Sequence, residues 1–140
     1  MRRDFEIKDG IYLVQSGHEL DLHNNFDFQD LRYSVEDRTL LLRWRRSKGD
    51  WVAPAIPASV CVEFREVSEF RFLPRDAKLP FTEDECVNTF GYWTDEEWPD
   101  GVFLPDPTRA PDPRWLAAID FMSGAVIAVQ AVSAYARIET

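Results

Sequence analysis

Cys86 is the residue that most resembles a nucleophile, and its setting argues against that role. A reactive thiolate needs a nearby base and a positive surrounding. Cys86 instead follows Glu83, Asp84 and Glu85, charges that raise a thiol pKa. Glu85 with Glu97, or Asp95 with Glu96, are paired carboxylates of the type that glycoside hydrolysis uses. Spacing alone does not bring two loop acids within a few ångströms of each other. His18, Glu19, Asp21 and His23 contain metal-ligating types. The two histidines are five positions apart, which puts them on opposite faces of a strand and out of line on a helix. No cysteine or third histidine stands close enough to complete a zinc set. There is no Gly-rich phosphate loop, Gly-x-Ser-x-Gly elbow, His-Glu-x-x-His pair or Cys-x-x-Cys. The sequence therefore calls for no cofactor, no metal and no catalytic residue, and it favours a binding role over an enzymatic one.

Charge and aromatic content point to where binding would occur. The net charge is −9, and Leu79 to Thr108 holds eight acids with no Lys or Arg; elsewhere acids and bases nearly balance. A field of one sign repels nucleic acid and anionic lipid and attracts basic proteins. Within this stretch Phe90, Tyr92, Trp93, Asp95, Glu96, Glu97 and Trp98 would form an acidic, aromatic surface. Aromatic anchors inside a charged rim suit a protein partner. Two other uses of the same rings stay open: closing the chain's own core or a homodimer seam, or stacking a small ligand beneath the segment. Arg43, Arg45, Arg46 and Lys48 interleave with Trp44 and Trp51. Four charges on an acidic chain are too few for a nucleic-acid footprint, so they are expected to pair with the acidic segment or coat an exposed strand face.

The elements that must position these residues read as strands. Ser59 to Leu73 alternates, with Val60, Val62, Phe64, Phe70 and Phe72 on one parity and charged residues on the other. Glu66-Val67-Ser68 interrupts the period, which predicts two linked strands joined by a bulge or a sharp corner that turns Val67 inward. Asp4 to Gln15 predicts a hairpin around Asp9-Gly10. Ser16 to Asn25 reads as a polar loop. Phe26 to Ser47 predicts a second hairpin, with Leu31, Tyr33 and Val35 facing Leu40, Leu42 and Trp44 across a turn at Glu36–Thr39. The parity change after Phe28 predicts another bulge near Gln29-Asp30. Residues 74–114 read as a long irregular segment folded over the sheet, with a helical turn at Thr82–Glu85 drawn as a capping box. Asp112 to Met122 fits either a helix capped by Asp112 or a strand turning at Ser123-Gly124; the alternation of Trp115, Ala117, Ile119 and Phe121 favours the strand. Ala125 to Ile138 is apolar on both parities, as in a strand covered on both faces.

These elements predict a single domain over 1–140: mainly β, antiparallel, arranged as a curved sheet or sandwich with the acidic-aromatic insert on one side. At 140 residues a single core suffices. The N-terminus lacks an apolar run, no stretch reaches the roughly 20 apolar residues of a span, and two scattered cysteines make no disulfide framework. The expectation is a cytoplasmic protein with no membrane partner.

The order of elements resembles a group of small bacterial β-rich domains of unknown function that includes immunity proteins of toxin systems. The resemblance rests on Leu22-His23 before a hairpin, on the Phe64-Arg65-Glu66-Val67 strand corner, and on the closing hairpin from Ile119-Asp120-Phe121 through Gly124 to Ile127. The chain departs from the pattern at Asn24, where an Asp is common, and in the long insert. The resemblance implies a β fold, a bacterial source and a basic toxin domain as the partner. It carries no catalytic residue.

Overall fold

Alternation and turn chemistry together dictate ten strands among the described residues. The computed structural model describes residues 1–96 and 101–140. The strands are β1 (Arg2–Arg3), β2 (Glu6–Lys8), β3 (Tyr12–Gln15), β4 (His18–Asp21), β5 (Phe26–Ser34), β6 (Thr39–Arg46), β7 (Ser59–Leu73), β8 (Val87–Trp93), β9 (Leu116–Phe121) and β10 (Val126–Glu139), with a 3-10 turn at Phe81–Glu85. The main sheet runs β5-β6-β7-β10-β9-β8, antiparallel throughout, and curls into a half-barrel. β1 adds in parallel to β10, and β2-β3-β4 form a small second sheet. The β-rich, antiparallel reading of the sequence is what the chain adopts.

The spine is β7 against β10. β7 is one strand of 15 residues rather than the two linked strands that the alternation predicts, because the irregularity forms as a bulge that bends the strand without ending it. Glu66 takes φ +54°, Ser68 is the extra residue between Val67↔Ala131 and Glu69↔Gln130, and Val67 is buried. The second predicted bulge also forms, with Phe28 opposite Trp44 and Asp30 opposite Arg43, leaving Gln29 unpaired. That step puts Phe26, Phe28 and Leu31 on one face, as their apolar character requires.

Side chains from both layers meet in one core. Val60, Val62 and Phe64 from β7 join Leu40, Leu42 and Trp44 from β6, and Ile119, Phe121, Ile127 and Val129 from β9 and β10. Phe5, Leu13, Leu20 and Leu22 of the N-terminal region belong to the same cluster. Each such burial is worth roughly 1.5–3 kcal/mol. A smaller cluster lies on the other face, where Trp93 and Val102 cover Leu116, Ala118 and Ala128. This explains why the first half of β10 is apolar on both parities.

Several local expectations change. Ser16–Asn25 is not all loop: Ser16-Gly17 makes a two-residue turn, and His18–Asp21 pairs with β3. In the second hairpin Ser34↔Thr39 is the closing pair, so Val35 sits in the turn and is 79% exposed. Part of 74–114 is regular, because β8 pairs with β9 along six positions. The 3-10 turn at Phe81–Glu85 forms after Pro80 with no side-chain cap, so the capping box does not. Residues 116–121 are strand, as favoured over helix.

Asp120 carries a testable charge effect. It is half-buried on β9, with Asn88 Nδ2 at 3.3 Å from both carboxylate oxygens, and burial raises its pKa above the usual carboxylate range. The unfolded carboxyl therefore loses its proton at lower pH than the folded one. Stability is present at low pH and falls as pH rises through that raised pKa. Asp120→Asn is expected to raise the melting temperature at pH 7 and leave it unchanged at pH 3.

Candidate functional site

The residues singled out on the acidic segment divide into an internal set and a paired set. Phe90 is 1% exposed and meets Phe5 edge-on at 6.4 Å. Tyr92 is half-buried, 5.8 Å from Trp115, which meets Phe103 at 4.9 Å. Trp93 packs on the Leu116, Ala118 and Ala128 cluster. β8 directs all three rings, and Gly91 allows the close approach of the segment that follows. A Cβ at Gly91 would stand 2.3 Å from the Phe103 carbonyl oxygen. Asp95 is exposed but accepts two hydrogen bonds from Arg71, each 2.6 Å, and this guanidinium holds its carboxyl below the usual range. Glu96 lies 3.7 Å from Arg114. Glu97 and Trp98 lie outside the described residues. The rings at 90–93 thus serve packing, and the described acids beside them are matched by arginines.

Sequence spacing could not have joined His23 to Cys86, yet the fold places the Cys86 sulfur 3.5 Å from His23 Nδ1. The same nitrogen bonds the Val87 carbonyl. A carbonyl only accepts, so Nδ1 carries the hydrogen and has no lone pair to take the thiol proton. Burial, then Glu83, Asp27 and Asp21, push the thiol pKa up. Alkylation of Cys86 by iodoacetamide at pH 7.5 is expected to run several-fold slower than that of free cysteine; a faster reaction would reinstate a nucleophilic role. Both cysteines are free. Among the described residues no three His, Cys, Asp or Glu side chains converge as metal ligands.

The basic cluster disperses. Arg43 pairs with Asp30 across the hairpin, and Arg46 donates to the Pro54 and Ile56 carbonyls. Arg45 makes no ion pair among the described residues and lies instead on the rim of a groove.

That groove is the feature the sequence did not indicate. It opens between β5, the far end of β7 and the 3-10 turn, at the seam of the half-barrel, with a volume of about 460 Å³. Its floor is Phe28, which touches Phe121 at 4.9 Å and Trp44 at 5.2 Å and so continues the core. Its walls carry Phe72, 56% exposed, and Phe81, 81% exposed. Phe72 has the inward parity predicted for it, but β6 pairs with β7 no further than Leu40↔Phe64, so among the described residues no strand covers this end. Arg75 fixes the opposite wall. Its guanidinium bonds Asp84 at 2.9 Å and the Leu79 and Pro80 carbonyls, and lies 4.8 Å from the Phe81 ring centre. Arg45 and Glu85 are the charges of the lining that make no ion pair among the described residues. Large exposed rings beside a preformed groove are unusual on a surface with no partner.

Among the described residues no helix is long and apolar enough to cross a membrane. Comparison with family models, with curated proteins and with solved structures finds no match for this chain.

Proposed function

We propose that the chain is a non-catalytic protein-binding domain of a bacterial cytosol, and that the partner docks at the seam groove. The observation that carries this reading is the pair of exposed rings, Phe72 and Phe81, flanking a groove whose floor is continuous with the core. Binding energy concentrates where aromatic residues meet a well-packed pocket, and a rigid floor limits the ordering cost on association. The net charge of −9 favours a basic partner by long-range attraction, in keeping with the toxin-domain class that the sequence resemblance implies. In this reading the flap around Asp95 and Glu96 supplies field and the groove supplies contact. The groove's volume also suits a small aromatic ligand, a second reading that rests on the same walls.

A photo-crosslinking amino acid placed at position 81 in cells tests this directly, with position 35 as an equally exposed control on the β5–β6 turn. The expected result is a discrete adduct with one polypeptide at 81 and none at 35. An adduct of twice the chain mass would instead assign the groove to self-association. Equal adducts at both positions, or none at 81, would remove the protein-binding reading.

A further inference from the structure

Arg3 is the one half-buried arginine whose charge the chain leaves uncompensated by oxygen among the described residues. Arg46, Arg71 and Arg75 each donate to carboxylates or carbonyls. The Arg3 side chain makes no hydrogen bond or ion pair among the described residues, and its Nη2 atom is buried without a partner. The guanidinium sits among three rings instead: its central carbon is 5.6 Å from the Phe5 centroid, 5.7 Å from Phe90 and 5.3 Å from Tyr92. Burial lowers its pKa, as expected of a cation losing water with no counter-charge. Cation–π contacts recover only part of what desolvating an unpaired ion costs.

The same residue lines a second pocket, of about 270 Å³, which shares no lining residue with the seam groove. Its other walls are apolar: Ile7 from β2, Phe90 and Tyr92 from β8, and Leu104, Pro105 and Pro107 from the following segment. Asp9, in the β2–β3 turn, is the one carboxylate of the lining and makes no ion pair among the described residues. From this juxtaposition of an unpartnered guanidinium and apolar walls, we propose that the pocket binds a small free organic acid, its carboxylate toward Arg3 and its apolar body against Ile7, Leu104 and the prolines. The volume lies just below the range of drug-sized ligands, which selects a compact acid. The apolar walls disfavour inorganic phosphate, which would lose water without gaining contacts. Asp9 works against every anion, and most against a doubly charged one, so a monocarboxylate fits best.

The test is an amide-resolved NMR titration of the full chain with phenylacetate, with its neutral analogue phenylacetamide, and with inorganic phosphate. Phenylacetate is expected to shift the amides of Asp9, Gly10, Gly91 and Tyr92 saturably, and phenylacetamide to bind about tenfold more weakly or worse, since the charge-assisted contact is lost. Phosphate is expected to leave those amides in place. Asp9→Asn retains a residue type that tolerates the φ of +53° found there and should tighten phenylacetate several-fold. Arg3→Gln should weaken it about tenfold or more; if that variant does not fold, the comparison of acid with amide and the Asp9→Asn variant decide. Equal affinity for acid and amide, phosphate binding as well as the acid, an unchanged affinity in Asp9→Asn, or no shift at these amides overturns the proposal.

Discussion

Truncation of Phe64 to alanine is expected to destabilise the fold by about 3–5 kcal/mol, the usual cost of deleting a fully buried aromatic ring. A domain of this size is stable by about 5–15 kcal/mol, so the variant would sit near the edge of folding. Phe64 is 1% exposed and lies in the middle of β7, opposite Leu40 on one side and Ala134 on the other. Ala134 and Ala136 cannot extend into the space a lost ring would leave, so the cavity term is fully felt. Phe72, on the same strand, gives the contrast: at 56% exposure, Phe72→Ala should change stability by no more than about 0.5 kcal/mol. Urea unfolding reads both, as a lowered midpoint with an unchanged slope for Phe64→Ala and an unchanged midpoint for Phe72→Ala. Equal losses at the two positions would mean that the seam is closed in solution.

Gly91→Ala is the second large effect. The added methyl would stand 2.3 Å from a backbone oxygen, that of Phe103, which cannot rotate away as a side chain can. Relief requires Phe103 to withdraw from β8, breaking the two hydrogen bonds between Tyr92 and Phe103, each 2.9 Å. Overpacking strain with two lost backbone bonds sums to about 2–6 kcal/mol. Tryptophan emission should move to the red in the same variant, because Trp115 leans on Phe103. A substitution without cost there would place the 102–104 segment away from the sheet.

The sheet was legible because its signals are local. Parity named the buried residues of β6, β7 and β9, and each break in parity, at Val67 and at Gln29, corresponds to a bulge in the fold. What escaped the sequence depends on how far one strand runs past another. Phe72 has the parity of a core residue, and the length of the β5–β6 hairpin decides that no described strand covers it. β8 was hidden by its glycine and acidic flanks, since its regularity comes from pairing with β9 rather than from its own pattern. His18–Asp21 was hidden by polar composition, although Ser16-Gly17 suits a tight turn. The acidic segment was correctly read as rich in rings, but spacing could not tell that Arg71 and Arg114 would meet Asp95 and Glu96. The groove brings together residues 28, 45, 72, 81 and 121, a set no sequence window contains.

Recognition through the seam rather than through the flap is best tested by calorimetric titration of the polypeptide captured at position 81 against two folded variants. In one, Phe72 and Phe81 are both replaced by glutamate; in the other, Asp95→Asn and Glu96→Gln remove charge from the flap. Loss of hot-spot rings predicts at least about a 30-fold weaker affinity for the first variant. Loss of rim charge predicts a change within a few-fold, larger at low salt, for the second. A full-strength complex with the groove variant, together with a collapse of binding in the flap variant, would contradict docking at the seam.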